Sequence, residues 1–416
     1  MLDIKYIREH AELVKQNNKA RGVTVDVDHL LQLDHEWRNL LGQIEKMRST
    51  RKQGSKGKPS EQEIAAMRQL GDDIARLEGE LTSVEADFTK LLKTVPNLTH
   101  PEVPTGGEED FKVLKTQGQP SKFKFQPKDH EELMLALGVL DLERGAKTTG
   151  TKFYFAKNDL VRLNQALIQY GTDVLSKHGF TLMETPDLAR DEILEGIGFN
   201  PRGPESQVYS ILGHDLSLIG TAEITLGGYH ANEILDLSAG PLKYAGISHC
   251  FRTEAGAYGR TSKGLYRVHQ FTKLEMFVYC KPEDSEQLHQ ALLAIEQEIV
   301  DGLGLPYQVI DTASCDLGAP AYRKFDIEAW MVMKNGYGEI TSTSNCTDYQ
   351  ARRLNVRYRK ENGETDFVHT LNGTAVVTSR LPIAIFENFQ TENGTVKIPK
   401  VLQQYMGGLK EIKPKK

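Results

Sequence analysis

The sequence predicts an α+β protein in which a long two-helix arm precedes a larger body built on paired strands. Three observations lead there. Two apolar seams of helical period lie between about residues 28 and 92. A proline- and glycine-rich stretch without any period follows at 95–120, and the body then carries two strand-like runs joined by a glycine-rich loop. The 416 residues are 39% hydrophobic and 26% charged, a balance that suits a globular chain and leaves room for two or three domains.

The opening MLDIKYIREHAELVK is amphipathic, carries both signs of charge and lacks the apolar core of a signal peptide. No run of 18 apolar residues occurs, so no membrane span is expected and the cytoplasm is the expected location. Leu30, Leu33, Trp37, Leu40, Ile44 and Met47 then recur at gaps of 3, 4, 3, 4 and 3, the stripe of a helix that packs on one partner. Ile64, Met67, Leu70, Ile74, Leu77, Leu81, Val84, Phe88 and Leu91 repeat the pattern. Gly54, Gly57 and Pro59 interrupt it, which predicts an antiparallel coiled coil with a turn between its arms.

That turn is basic. Net charge over the chain is -6, which gives no global reason to bind a polyanion, yet Arg48, Arg51, Lys52, Lys56 and Lys58 fall together with no acid among them. A phosphate-binding tip and a plain solvated turn both account for these five. Residues 95–120, with four prolines and three glycines, read as a linker. The expected domains are therefore 1–100 for the arm, 101–120 for the linker and 121–416 for the body.

In the body, DLVRLNQALIQYGTDVLSKH has helical spacing up to Gly179, and FTLMETPDL reads as a strand stopped by Pro186. KYAGISHCFRTEA and RVHQFTKLEMFVYC form a hairpin pattern. Strand alternation in the second run sets Arg267, His269, Phe271, Lys273, Glu275 and Phe277 on one face and mostly apolar residues on the other. Arg252 and Glu254 share a face on the first. A permanent cation, carboxylates and an aromatic ring together suit a nucleotide, although a charged solvent-facing sheet would alternate equally well. Neither a P-loop nor a complete dinucleotide fingerprint is present. Later, Glu339 and Ser342 offer the oxygen ligands that Mg²⁺ takes when it rides on phosphates, and Arg380 follows a small-residue strand. Cys250, Cys280, Cys315 and Cys346 are spaced 30, 35 and 31 apart without a C-x-x-C, which reads as buried reduced thiols and no zinc site.

Taken together the segments resemble the class II aminoacyl-tRNA synthetases, and over nearly the whole chain the seryl-tRNA synthetase family of bacterial type. FRTEAGAYGRTSKGLYRVHQFTKLEMF resembles the second class motif, GTAVVTSRLPIAIFENFQ the third, and GFTLMETPDL the weaker first motif of the dimer interface. The resemblance implies a catalytic domain with an antiparallel β-sheet flanked by helices. It implies serine activation by ATP to seryl-adenylate, then transfer to tRNA(Ser), and to tRNA(Sec) where the host has one. Arg252 and Arg380 would be catalytic, gripping the α- and γ-phosphates. Thr253, Glu254, Val268, His269, Gln270, Phe271 and the run Glu339, Ile340, Thr341 and Ser342 would complete the ATP site, with Mg²⁺ at Glu339 and Ser342. Thr221, Ala222, Glu223, Glu275 and Thr374 would bind L-serine, and the basic tip would bind tRNA in a homodimer. Thr341, Thr343 and Thr374 stand where serine or cysteine is common in relatives. The cysteine spacing and the TAE segment match the zinc-free variety. A carrier-protein-loading relative would lack the arm, and a non-enzymatic paralogue would be expected to lose Arg252, Glu275 or Arg380; the sequence has the arm and all three residues.

Overall fold

Among the described residues, four helices make up the first of the two units into which the chain divides, Met1–Leu98 and Thr99–Lys416. The computed structural model describes residues 1–54, 60–199, 207–254 and 264–414. Short helices α1 (Ile4–Glu9) and α2 (Ala11–Ala20) precede two long ones, α3 (Val27–Gly54) and α4 (Glu61–Leu92). At a rise of about 1.5 Å per residue the long helices run roughly 42 and 48 Å. A capping box starts α4, with the Ser60 hydroxyl accepting from the Glu63 amide and the Glu63 carboxylate accepting from the Ser60 amide.

The two seams meet as expected. Leu40 and Ile44 of α3 are buried against Ile74 and Leu77 of α4, and Trp37 stacks on Phe88. Nearer the base, Leu2, Ile7 and Val14 join Val27, Leu30, Leu92 and Val95 in a second apolar cluster. The amphipathic opening segment thus closes the end of the coiled coil, a role that its pattern alone did not assign. Ile64, although in phase with the seam, is 51% exposed.

The second unit is organised on an eight-stranded sheet. In chain order its strands are β1 (Lys112–Gln117), β2 (Thr181–Glu184), β3 (Leu242–Phe251), β4 (Gln270–Cys280), β5 (Tyr307–Asp311), β6 (Arg323–Met331), β7 (Gly336–Thr347) and β8 (His369–Val377). Their spatial order is β1-β5-β6-β7-β8-β4-β3-β2, antiparallel throughout except where β2 runs parallel to β3. Helices α5 (Asp159–Lys177), α8 (Ser285–Leu303) and α10 (Leu381–Phe389) contribute to the apolar core with Leu274, Met276 and Val278 of β4. On the other face of β4, Phe277 and Tyr279 pack with α6 (Asp191–Ile197), α7 (Ala222–Gly228) and α9 (Tyr349–Leu354). Phe277, expected on the chemical face, is part of this second apolar cluster.

Residues 101–120 differ from the expected linker. They include β1, which pairs with β5, and Val103 is buried against Leu317 and Ala321. All six residues of β1 are exposed. An edge strand wet on both faces has no alternation to show in a sequence.

Leu77→Ala is expected to destabilise the helical unit by about 2–4 kcal/mol in denaturant unfolding, because it leaves a hole in the seam. Ile64→Ala, half-exposed, is expected to cost about 0.5 kcal/mol or less.

Candidate active site

The register of the β3–β4 hairpin sets the geometry. Cys250 lies opposite Phe271, and the Arg252 amide donates to the His269 carbonyl at 3.0 Å, so the ladder continues past the end of β3. Residues directly opposite in an antiparallel pair point to the same side. Arg252 accordingly stands beside Phe271, its guanidinium carbon 5.4 Å from the ring centroid, with Nε donating to the Gly220 carbonyl at 3.3 Å. Two steps along β4 come Lys273 and Glu275, which form an ion pair with side chains 8% and 2% exposed. The solvent-facing alternative for this face is thereby removed.

Thr374 of β8 lies opposite Glu275, and the Lys273 ammonium reaches its hydroxyl at 3.4 Å. On the other flank Thr221 caps α7, accepting from the Glu223 amide and donating to Glu275 Oε2, both at 3.2 Å. Burying two charges costs several kcal/mol per ion, which an apolar pair would avoid. That arrangement is unprofitable for stability and useful for binding a polar, charged ligand.

Glu339 and Ser342 are three residues apart, a spacing that sends side chains to opposite faces of a regular strand. A bulge corrects this. Ile327 pairs with Thr341 and Glu328 with Glu339, which leaves Ile340 as an extra residue on β7 and brings Glu339 and Ser342 to one cavity. Arg380, preceding α10, donates to the Glu339 carboxylate at 2.8 Å and to its carbonyl at 3.2 Å, and lies over the Tyr266 ring at 5.1 Å. Burial would raise the Glu339 carboxyl, but Arg380 and Lys324 hold it below the usual range, so it remains a carboxylate.

Two adjoining cavities result. One is lined by Arg252, Glu254, Tyr266, Val268, Phe271, Ile340 and Arg380. The other, of about 420 Å³, is lined by Thr221, Glu223, Glu275, Ser342 and Asn372. Arg252, Lys273, Glu339 and Thr374 border both, so the two form one cleft. Glu223 is pushed up to about 7, chiefly by burial and then by the neighbouring Glu275.

Several expected ligands sit elsewhere. Gln270 is exposed and borders a different cavity beside His249 and Thr378. His269 donates from Nδ1 to the Arg252 carbonyl at 2.8 Å and thus supports Arg252 from behind. The Thr253 amide donates to the Gln207 carbonyl, and Ala222 is fully buried at the start of α7. Thr341 does line the first cavity but turns its hydroxyl to Glu296 on α8 at 3.2 Å, while Thr343 donates to the Asn372 carbonyl at 2.8 Å. Two of the three threonines that depart from the common pattern are therefore held on buried acceptors. In the helical unit, Arg48 pairs with Glu78 at 2.8 Å and Arg51 and Lys52 are exposed; Lys56 and Lys58 lie outside the described residues. Cys250, Cys280 and Cys346 are buried, but Cys315 is exposed, unlike the expectation for all four.

Sequence reasoning left out Lys273, Tyr266, Asn372 and Gln350. Only Lys273 carried a signal, as a lysine in phase with Glu275. For Mg²⁺, Glu339 and Ser342 supply hard oxygen donors on one wall, which fits the ion. Among the described residues no three His, Cys, Asp or Glu side chains converge into a cage of their own. The donor set therefore suits a cation that arrives with phosphate.

Residues 1–99 match the seryl-tRNA synthetase N-terminal domain, and residues 208–389 match the class II tRNA synthetase core domain (G, H, P, S and T). The serine–tRNA ligase of Treponema denticola is 52% identical over 98% of this chain and 99% of its own. That of Dictyoglomus turgidum is 50% identical over the full length of both. The chain belongs to the seryl-tRNA synthetase family. The fold agrees: the seryl-tRNA synthetase of Pyrococcus horikoshii, solved in complex with ATP, superposes with a TM-score of 0.93 at 40% identity over all of both chains. The cytoplasmic serine–tRNA ligase of Naegleria fowleri, solved with AMP, gives 0.88 at 35% over 100% of this chain and 99% of that one. The protein is thus an ATP-dependent serine–tRNA ligase.

Beneath that synthetase sheet, Glu296 has one oxygen on Thr341 and the other without a partner, directly under Gly373, where a Cβ would come within 2.9 Å of it. Burial raises its carboxyl well above the ordinary value. A raised acid contributes stability that is complete below the unfolded value of 4.5 and is lost as pH rises towards the folded one. Glu296→Gln, which cannot ionise, is therefore expected to gain on the wild type by up to about 1.4 kcal/mol per pH unit above that value, read by chemical denaturation at two pH values.

Proposed function

We propose that the enzyme joins serine to ATP as seryl-adenylate and then passes the seryl group to the 3′ end of tRNA(Ser), and to tRNA(Sec) in a host that has one. The observation that carries this reading is the single cleft in which Arg252 and Arg380 line one part and the Lys273–Glu275–Thr374–Thr221 cluster lines the adjoining part. Arg252 holds the α-phosphate and Phe271 stacks on adenine, with Arg380 at the γ-phosphate. The serine hydroxyl meets Glu275 and Thr374, and its ammonium meets Glu223 and the Thr221 region. Glu339 and Ser342 would hold Mg²⁺, which supplies further charge neutralisation to the phosphates.

This division of roles follows from the reaction. The serine carboxylate is already a nucleophile at neutral pH, so no general base is required for the first step and alignment supplies much of the rate. Negative charge gathers on the phosphoryl oxygens during attack, and guanidinium groups fixed beforehand by Gly220, Glu339 and Tyr266 stabilise it without reorganising. Alanine or glycine would leave the Glu275 carboxylate without the serine hydroxyl, a penalty that reaches about 10⁴-fold in sites of this kind. Threonine differs by one methyl group, whose discrimination by pocket shape is worth less, about 10–200-fold.

We further infer a homodimer. Leu182 and Leu188, 45% and 39% exposed, flank a hollow lined by Met183, Pro186, Ile193 and Tyr229, in the segment that resembles the first class motif. A cytoplasmic location is the accompanying inference; no helix among the described residues is long and apolar enough to cross a membrane.

Pyrophosphate exchange with each of the twenty amino acids is expected to respond to serine alone, and activation by another amino acid would overturn the specificity. Arg252→Ala and Arg380→Ala are each expected to lower exchange by about 10²–10³-fold. The triple change Arg48→Glu, Arg51→Glu, Lys52→Glu is expected to reduce tRNA charging at least about 10-fold and leave exchange within about twofold. Equal loss of both would remove the tip from tRNA binding.

A further inference from the structure

Gln350 is fully buried on α9 and touches no part of the cleft that ATP would occupy. Its hydrogen-bonding groups are all engaged. Nε2 donates to Glu223 Oε1 at 2.8 Å and to the Ile197 carbonyl at 3.1 Å, and its carbonyl oxygen accepts from the Thr370 hydroxyl at 2.7 Å. Turning the amide over would set its oxygen against a carboxylate and a carbonyl, so the partners fix the orientation. Asn372 Nδ2 donates to the same Glu223 oxygen at 3.0 Å. Oε1 of Glu223 is thus held by two donors from different elements, and Oε2 has no hydrogen bond from the described residues.

We propose that Gln350 is a positioning residue: it clamps one oxygen of Glu223 so that the other faces the ammonium of serine, and it thereby sets how serine affinity depends on pH. The inference rests on reading the inner cavity as the serine pocket and deepens that reading.

The charged surroundings of Glu223 define the direction of the effect. From β4 come Glu275 and Lys273, at the end of β3 stands Arg252, and Lys324 of β6 and Glu339 of β7 line the same cavity. Cys346 of β7 accepts from Asn372 Nδ2 at 3.6 Å. From α6, β8 and α9 the facing groups are uncharged: the Ile197 carbonyl, Asn372, Thr370 and Gln350, while Arg353 of α9 is turned to the Glu195 carbonyl and the Tyr349 hydroxyl. Glu275 and burial favour the protonated acid, whereas the Gln350 donor favours the carboxylate. An ammonium ligand requires the carboxylate. Serine affinity should therefore fall on the acid side of neutrality, and loss of the Gln350 donor should move that fall to higher pH.

Gln350→Met keeps length and removes the donor. The test is KM for serine in pyrophosphate exchange, with serine binding by calorimetry, across about pH 6 to 9. The expected result is an acid limb shifted up by about one pH unit, so that KM for serine rises about tenfold near pH 6.5 and less than about threefold near pH 9. KM for ATP and kcat stay within about twofold. Thr370→Val, which leaves Gln350 in place but frees its carbonyl, is expected to shift the limb in the same direction by less. If Gln350→Met does not fold, Thr370→Val carries the test. An unchanged pH profile, or a uniform loss at every pH, overturns the proposal. Glu223→Gln separates this from the parent reading: weakened serine binding there with no shift in Gln350→Met sinks only the clamp, whereas wild-type serine binding in both Glu223→Gln and Glu275→Gln sinks the serine pocket itself.

Discussion

The site depends on a pair of opposite charges placed where water barely reaches, Lys273 beside Glu275 on β4. Such a pair persists only if its remaining hydrogen-bonding capacity is met. Thr221 from α7 and Thr374 from β8 meet it from two sides. This requirement ties three elements far apart in the chain to one spot and makes the floor of the cleft rigid before any ligand arrives. The neighbouring Arg252 and Glu223 extend the same alternation of sign along the cleft.

The sheet serves the site through its irregularities as much as through its regular ladder. A strictly alternating β7 would have divided Glu339 from Ser342, and the extra residue at Ile340 reunites them. A second shift on β8, between Thr374 and Val376, lets Thr374 stay opposite Glu275 while the residues beyond it return to the core. Bulges of this sort exchange a little ladder regularity for the aim of particular side chains.

Much of this was legible in the chain and some was not. The two helical seams, the hairpin and its chemical face follow from periodicity, since one buried stripe or face imposes a period on the residues that form it. Arg252 and Arg380 were recognisable through the segments around them. What escaped had no local signature. β1 is exposed on both faces, the contribution of Leu2, Ile7 and Val14 depends on where the coiled coil ends, and Gln350 acquires its role only because α9 sets it beside Glu223. Gln270 entered the expected site through the resemblance, but it borders a different cavity, whereas Thr341 lines the cleft and turns its hydroxyl to Glu296.

The extra residue in β7 also separates foldability from competence. Sliding the bulge by one position would preserve the hydrogen-bonded ladder and the hydrocarbon interior almost intact, yet it would swap which hydroxyl looks into the cleft and which looks down at Glu296. A variant of that kind would keep its interior and change the lining of its cleft. Grafting or shuffling this strand between homologous scaffolds therefore has to conserve the location of the irregularity, and not merely the identity of the side chains around it.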